Sequence, residues 1–188
     1  DQAIGAVGGH AFLAVPNLAP PGHVDEMADA VQERYGRLDV LVGNAGVLGP
    51  TSTVVDIDPD VWDDVIAVNL TANWRLLRSF APLLNDSAAG RAIFVTSSVV
   101  GGRAHRGVYA ASKSALEAMV RSYAQEVAGT GVRANMIDPG ARRTRMRAEA
   151  FPAEDPLRLR PADDCRLLDA FVELASPAYQ RTGETVRP

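Results

Sequence analysis

A chain of 188 residues, 47% of them apolar, is long enough to bury one full core and excludes a disordered polymer. A formal net charge of −4 argues against a general nucleic-acid or anionic-membrane surface, and no run approaches the roughly 18 apolar residues of a membrane span. One cysteine, Cys165, cannot close an internal disulfide, and the first five residues carry no basic or apolar leader pattern, so the expected compartment is cytoplasmic. Cys165 falls in a helical pattern, where a buried, inert thiol is expected.

Gly5-Ala6-Val7-Gly8-Gly9 invites a phosphate-loop reading, but that loop needs a strand before it and a helix after it. The next segment, Ala11 to Val15, is a short apolar run ended by Pro16 and reads as a strand, so Gly8 and Gly9 read as a helix stop. Val24, Met27, Ala28, Val31 and Tyr35 recur at helical spacing up to Gly36. Leu38 to Val42 reads as a buried strand running into Asn44-Ala45-Gly46. A long helix starts at Asp58-Pro59, an N-cap with proline at the first helical position, and Pro82 kinks it or lies close to its end. Ala92 to Val95 is a strand, Tyr109 to Ala128 a helix, and Val132 to Ile137 a strand ending in Asp138-Pro139-Gly140. Beyond the arginine-rich stretch 142–147 and a proline-rich loop, a last helix covers about 163–174, and 182–186 forms a short final strand. Strands alternating with helices predict a three-layer α/β domain with a doubly wound parallel sheet, whose ligands bind at the carboxyl ends of the strands.

The chemistry concentrates at those ends. Tyr109 and Lys113, four residues apart on one helix, share a face. A neighbouring cation favours the phenolate, so the sequence predicts a Tyr109 pKa below the value of about 10 for a free phenol, suited to passing protons.

Asn44-Ala45-Gly46, Asn69, Ser98, Tyr109, Lys113 and Pro139-Gly140, in this order, resemble the short-chain dehydrogenase/reductase family from about Ala11 to Val186. The stretch from Arg145 to Pro156 is similar to a bacterial subgroup of poorly characterised oxidoreductases. The resemblance implies a single Rossmann-like domain over 1–188 that lacks the family's first βαβ unit, and with it the glycine-rich loop. The expectation is therefore that these residues belong to a longer chain. It implies Tyr109 as acid/base, Lys113 as its electrostatic partner and holder of the nicotinamide ribose, and Ser98 as the hydroxyl on the substrate carbonyl. Asn69 would hold a water behind Lys113. Asn44, Ala45, Gly46, Pro139, Gly140 and Thr144 would line the cofactor, NAD or NADP, with Asn17 and Leu18 near its adenine. Eleven positions separate Ser98 from Tyr109, a shorter loop than the family's, so Thr96 and Ser97 stay open for the serine role. Arg142 stands where the family carries a small or β-branched residue.

The implied reaction moves hydride between nicotinamide and a carbonyl or secondary alcohol of a small molecule. A non-catalytic scaffold of the same fold is the alternative. The implied assembly is a homodimer or homotetramer through the helices at 61–84 and 109–128. His10, His23 and His105 lack metal-ligand spacing, although His105 is a candidate pocket residue. The arginines of 142–147 read first as a solvated basic face and second as a site for an acidic substrate or a cofactor phosphate.

Overall fold

The structure, a computed structural model, describes residues 4, 6, 8–11, 18, 20 and 22–188. Most of the strand predicted over 11–15, and Asn17, lie outside the described residues.

The first full element is α1 (His23–Tyr35), which buries Val24 and Ala28 and ends on Gly36. Gly36 adopts φ 70°, which glycine tolerates without a Cβ clash, and its N–H closes the helix on Gln32 O. Tyr35, predicted on the apolar face, is exposed. Gly8 is likewise left-handed, and the Gly9 N–H reaches Ile4 O at 2.9 Å, the expected helix stop. Strand β1 (Val40–Gly43) precedes α2 (Pro59–Ile66), whose Asp58 cap accepts from the Asp60 N–H. A π-turn at Ala67–Thr71 links α2 to α3 (Ala72–Asn85), which runs through Pro82 and stops one turn later. Then come β2 (Arg91–Val95), α4 (Gly107–Glu126), β3 (Arg133–Ile137), β4 (Arg142–Arg143), α5 (Arg145–Ala150), β5 (Arg160–Pro161), α6 (Cys165–Ala175) and β6 (Thr185–Val186).

The main sheet has the order β1-β2-β3-β6 and every pairing is parallel, with Leu41 beside Ala92, Ile93 beside Asn135 and Met136 beside Thr185. One face carries α1, α3 and α4 around Leu76, Phe80, Phe94, Leu116, Val120 and Met136. The other carries α6, whose Leu167, Ala170 and Leu174 pack on Ile93 and Ile137. Helices on both faces make the three-layer α/β architecture.

Two expectations change here. Strand β1 is buried on one face only: Leu41 and Gly43 are buried, while Val40 and Val42 are 37% and 44% exposed. The physical reason is that α6 packs on β2 and β3 and leaves this face of β1 uncovered among the described residues. Cys165 is exposed at the first residue of α6, because the apolar stripe of that helix begins at Leu167. No helix among the described residues is long and apolar enough to cross a membrane.

Candidate active site

A cleft of about 750 Å³ opens at the carboxyl ends of the strands. Its walls are the loops after β1, β2 and β3, the first turns of α4, and the 142–151 segment. Asn44, Ala45, Gly46, Ser97, Ser98, Tyr109, Lys113, Pro139, Gly140 and Thr144 all line it, so most of the predicted site residues converge.

Tyr109 and Lys113 are both buried on α4, and the Lys113 Nζ lies 5.9 Å from the Tyr109 ring centre. Nζ donates to Val95 O at 2.8 Å, and burial pushes the ammonium pKa down to about 8. The phenol moves against expectation. Burial raises its pKa, opposed by a hydrogen bond with Ser97 and by the charge of Arg106, and assisted by Asp138. Removing a phenolate from water outweighs the Ser97 hydroxyl and the Arg106 cation that oppose it.

The three hydroxyls at the end of β2 differ in burial. Thr96 is buried and its hydroxyl donates to Glu117 at 2.9 Å, while Ser98 is exposed. Ser97 is half-buried, lines the cleft, and its hydroxyl acts to lower the Tyr109 pKa. Ser98, the expected serine, lines the same cleft and is the more exposed of the two. The loop that follows β2 then turns through Gly101 and Gly102 at φ 91° and 109°.

Asn69 sits fully buried in the π-turn. Its Nδ2 donates to Val47 O at 2.8 Å and to Ser112 Oγ at 3.0 Å, and its Oδ1 accepts from the Val47 N–H at 2.8 Å. Its backbone carbonyl accepts from Asn73 Nδ2. The side chain therefore clamps the loop after β1 to α4. Both amide hydrogens are engaged in doing so, which leaves the second lone pairs of Oδ1 and of the backbone carbonyl as the group's remaining capacity for the water expected behind Lys113.

Gly46 shows how the site is kept open. A Cβ there would sit 3.5 Å from Lys113 Nζ and 3.4 Å from Asn69 Oδ1. Glycine preserves the space in front of a buried ammonium, which suits a ribose diol. Gly140 is left-handed at φ 66°, and its N–H is held by Asp138 Oδ1 at 3.0 Å. The Thr144 hydroxyl caps α5 by accepting from the Arg147 N–H. Leu18 is the exception: it packs against the apolar core and does not line the cleft. His105 is exposed at φ 61° and is also absent from the lining.

The arginine stretch is not one solvated face. Arg142 is buried 3.6 Å from Asp164, and its Nε and Nη2 lack hydrogen-bond partners among the described residues. Arg147 forms a bidentate pair with Glu154 at 2.6 and 2.7 Å, and only Arg143 and Arg145 are exposed. Two buried guanidiniums outside this stretch escaped sequence reading. Arg91 lies at the opposite end of the sheet, and Arg106 lies beside the cleft.

A parallel sheet with a Tyr-x-x-x-Lys helix opening on the strand ends defines a dehydrogenase-type α/β fold. The family model for short chain dehydrogenase matches residues 1–155, and the chain belongs to that family. It is 45% identical over 161 residues to an uncharacterized oxidoreductase, YciK, of Escherichia coli K12, an alignment covering 85% of this chain and 63% of that protein. The alignment with the 3-oxoacyl-[acyl-carrier-protein] reductase FabG of Salmonella typhimurium is 32% identical and covers 90% and 72%. Among solved structures, an E. coli CFT073 short chain dehydrogenase complexed with NADPH superposes with TM-score 0.91 at 36% identity, covering 99% of this chain and 80% of that one. The chain spans 63% and 41% of the lengths of the first curated relatives it matches.

Proposed function

We propose that the protein is an NAD(P)-dependent oxidoreductase interconverting a carbonyl and a secondary alcohol, with Tyr109 as acid/base. The observation that carries this reading is the convergence of Tyr109, Lys113, Asn44-Ala45-Gly46 and Pro139-Gly140 on one cleft. The relatives add weight, since one is called NAD-dependent and a structural neighbour holds NADPH. The residues present fit the nicotinamide-ribose half of such a dinucleotide, with Lys113 Nζ facing the space that Gly46 leaves free and Pro139-Gly140 across the cleft. Bound there, the dinucleotide supplies or accepts the hydride.

The chain's own residues do the rest. Burial keeps the Tyr109 phenol protonated at neutral pH, the state that gives a proton to the oxygen of a substrate being reduced. The Ser97 hydroxyl, which lines the cleft with the phenol, orients that oxygen and steadies the negative charge it gains. Asn69 holds the loop after β1 against α4 and so sets the distance between cofactor and acid.

Titration of the full gene product with NADH and NADPH, read by nicotinamide fluorescence and thermal shift, tests the reading. Saturable binding of at least one is expected, and no response to either at millimolar concentration overturns it. We also propose self-association through α3 and α4, where Trp74, Leu77, Met119 and Tyr123 border a groove of about 330 Å³. Sedimentation of the full gene product as a monomer at micromolar concentration would remove that part.

A further inference from the structure

The wall of the cleft next to Tyr109 carries more positive charge than the fold itself requires. Arg103, Arg106 and Arg147 surround the Phe151 ring, with guanidinium carbons 5.6, 5.3 and 3.8 Å from its centre. Arg147 is neutralised by Glu154. No ion pair among the described residues engages Arg103 or Arg106, so three guanidiniums face one carboxylate. The other carboxylate of the cleft, Asp138, is held by Arg187 and the Gly140 N–H.

Arg106 is the unusual member. It is 5% exposed, and its side-chain bonds go to neutral oxygens, Thr51 Oγ1 at 2.6 Å and Ala150 O at 2.9 Å. A guanidinium has five N–H donors, so more than half remain for a ligand or water at the cleft wall. Arg91 is the internal control: also buried, it donates to the carbonyls of Gly90, Gly131, Ser176 and Pro177 and does not line the cleft. Arg106 lines the cleft and lies close enough to Tyr109 for each to bias the other's titration.

Resting on the oxidoreductase reading above, we propose that Arg103 and Arg106 bind the carboxylate of an oxo-acid substrate (or of the matching hydroxy acid). The carbonyl of that substrate lies at Tyr109 and Ser97. The planar guanidinium fork matches a carboxylate, and a buried cation short of partners gains most from an anion. Leu48, Val99 and Phe151, all in the lining, give an apolar wall for the carbon chain between the two groups. Arg106 also bridges the loop at Thr51 to the end of α5, so its removal alone would not separate a binding role from a structural one. Arg103 is exposed and free of that complication.

The experiment uses the full gene product, with and without NADH or NADPH. It measures by calorimetry the binding of 4-oxopentanoate, 5-oxohexanoate and 6-oxoheptanoate, each against its own methyl ester. At least one acid is expected to bind tenfold or more tighter than its ester, as one charge-assisted hydrogen bond warrants. That preference should shrink about tenfold in Arg103→Gln and survive in part in Arg106→Lys. It should persist in Tyr109→Phe, which removes the acid/base and leaves the anion site. No preference for any acid over its ester, or an undiminished preference in Arg103→Gln, overturns the carboxylate site. Dinucleotide binding in the same samples separates the two failures: its presence without acid preference sinks only this inference, and its absence sinks the oxidoreductase reading as well.

Discussion

Arg91 and Arg106 are both buried guanidiniums, one at each end of the same parallel sheet, and they are finished in opposite ways. At the amino-terminal end, Arg91 ties β2 to the turn before β3 and to the residues after α6 through four backbone carbonyls. At the carboxyl end, Lys113 donates to a single carbonyl and Arg106 to two neutral oxygens, while Arg142 stands 3.6 Å from Asp164 with two nitrogens unbonded. Buried polar groups normally find partners, so a concentration of half-satisfied cations marks where something else is meant to complete them. One end is closed by its own hydrogen bonds, and the other carries its incomplete cations at the proposed site.

Substitutions at either end test this contrast. The largest effect belongs to Tyr109→Phe, expected to lower turnover about 10³-fold while leaving dinucleotide binding and the unfolding midpoint nearly unchanged. Substantial residual activity would reassign the acid. At the closed end, Arg91→Met should cost about 3 kcal/mol in urea unfolding, because it removes four charge-assisted hydrogen bonds and leaves the Gly131 carbonyl without a donor, without altering affinity for the dinucleotide. A loss under about 1 kcal/mol would mean that the donors these carbonyls keep, from Arg133, Tyr179 and Gln180, suffice to hold the segments together.

Lys113→Met is predicted to act with the opposite sign. In the fold the ammonium loses its proton near pH 8, whereas the unfolded chain holds it to about 10.5. Between those values the unfolded state carries more protons, so this group's penalty is fully present below pH 8 and fades as pH rises to 10.5. The variant should therefore be more stable than wild type at pH 7, by up to about 3 kcal/mol, and equal to it near pH 10.5, while losing activity. A variant less stable at neutral pH would show that the bond to Val95 outweighs burial. The smallest effect separates the neighbouring serines. Ser97→Ala should lower kcat about 10- to 100-fold and Ser98→Ala less than about twofold, and the reverse order would return the role to Ser98.

How far these features were readable depends on their range. The Asp58 cap, the Gly36 stop and the apolar periods of α1, α3 and α4 are local, and each was legible. So was the Tyr109–Lys113 pairing, because one helical turn creates it. The π-turn around Asn69 was not legible, since its motive is the clamp onto Val47 and Ser112, residues 22 and 43 positions away. Nor was the split fate of the arginines. Buried Arg142 is the immediate neighbour of exposed Arg143, and only the packing of α5, β5 and α6 decides which guanidinium loses water. Cys165 sits at the edge of a helical pattern whose buried face is known only once α6 is docked.

The order and kind of elements, the three-layer α/β class and the family are written in the chain itself, because these rest on side-chain periods, caps and short spacings. Which polar groups are taken out of water, and which of those are left incomplete, is a property of the packed molecule. Packing turned Tyr109 toward a raised pKa, committed the Thr96 hydroxyl to Glu117, and brought Arg103 and Arg106 to the wall beside the phenol. Desolvation depends on what packs from far along the chain, and no local pattern encodes it.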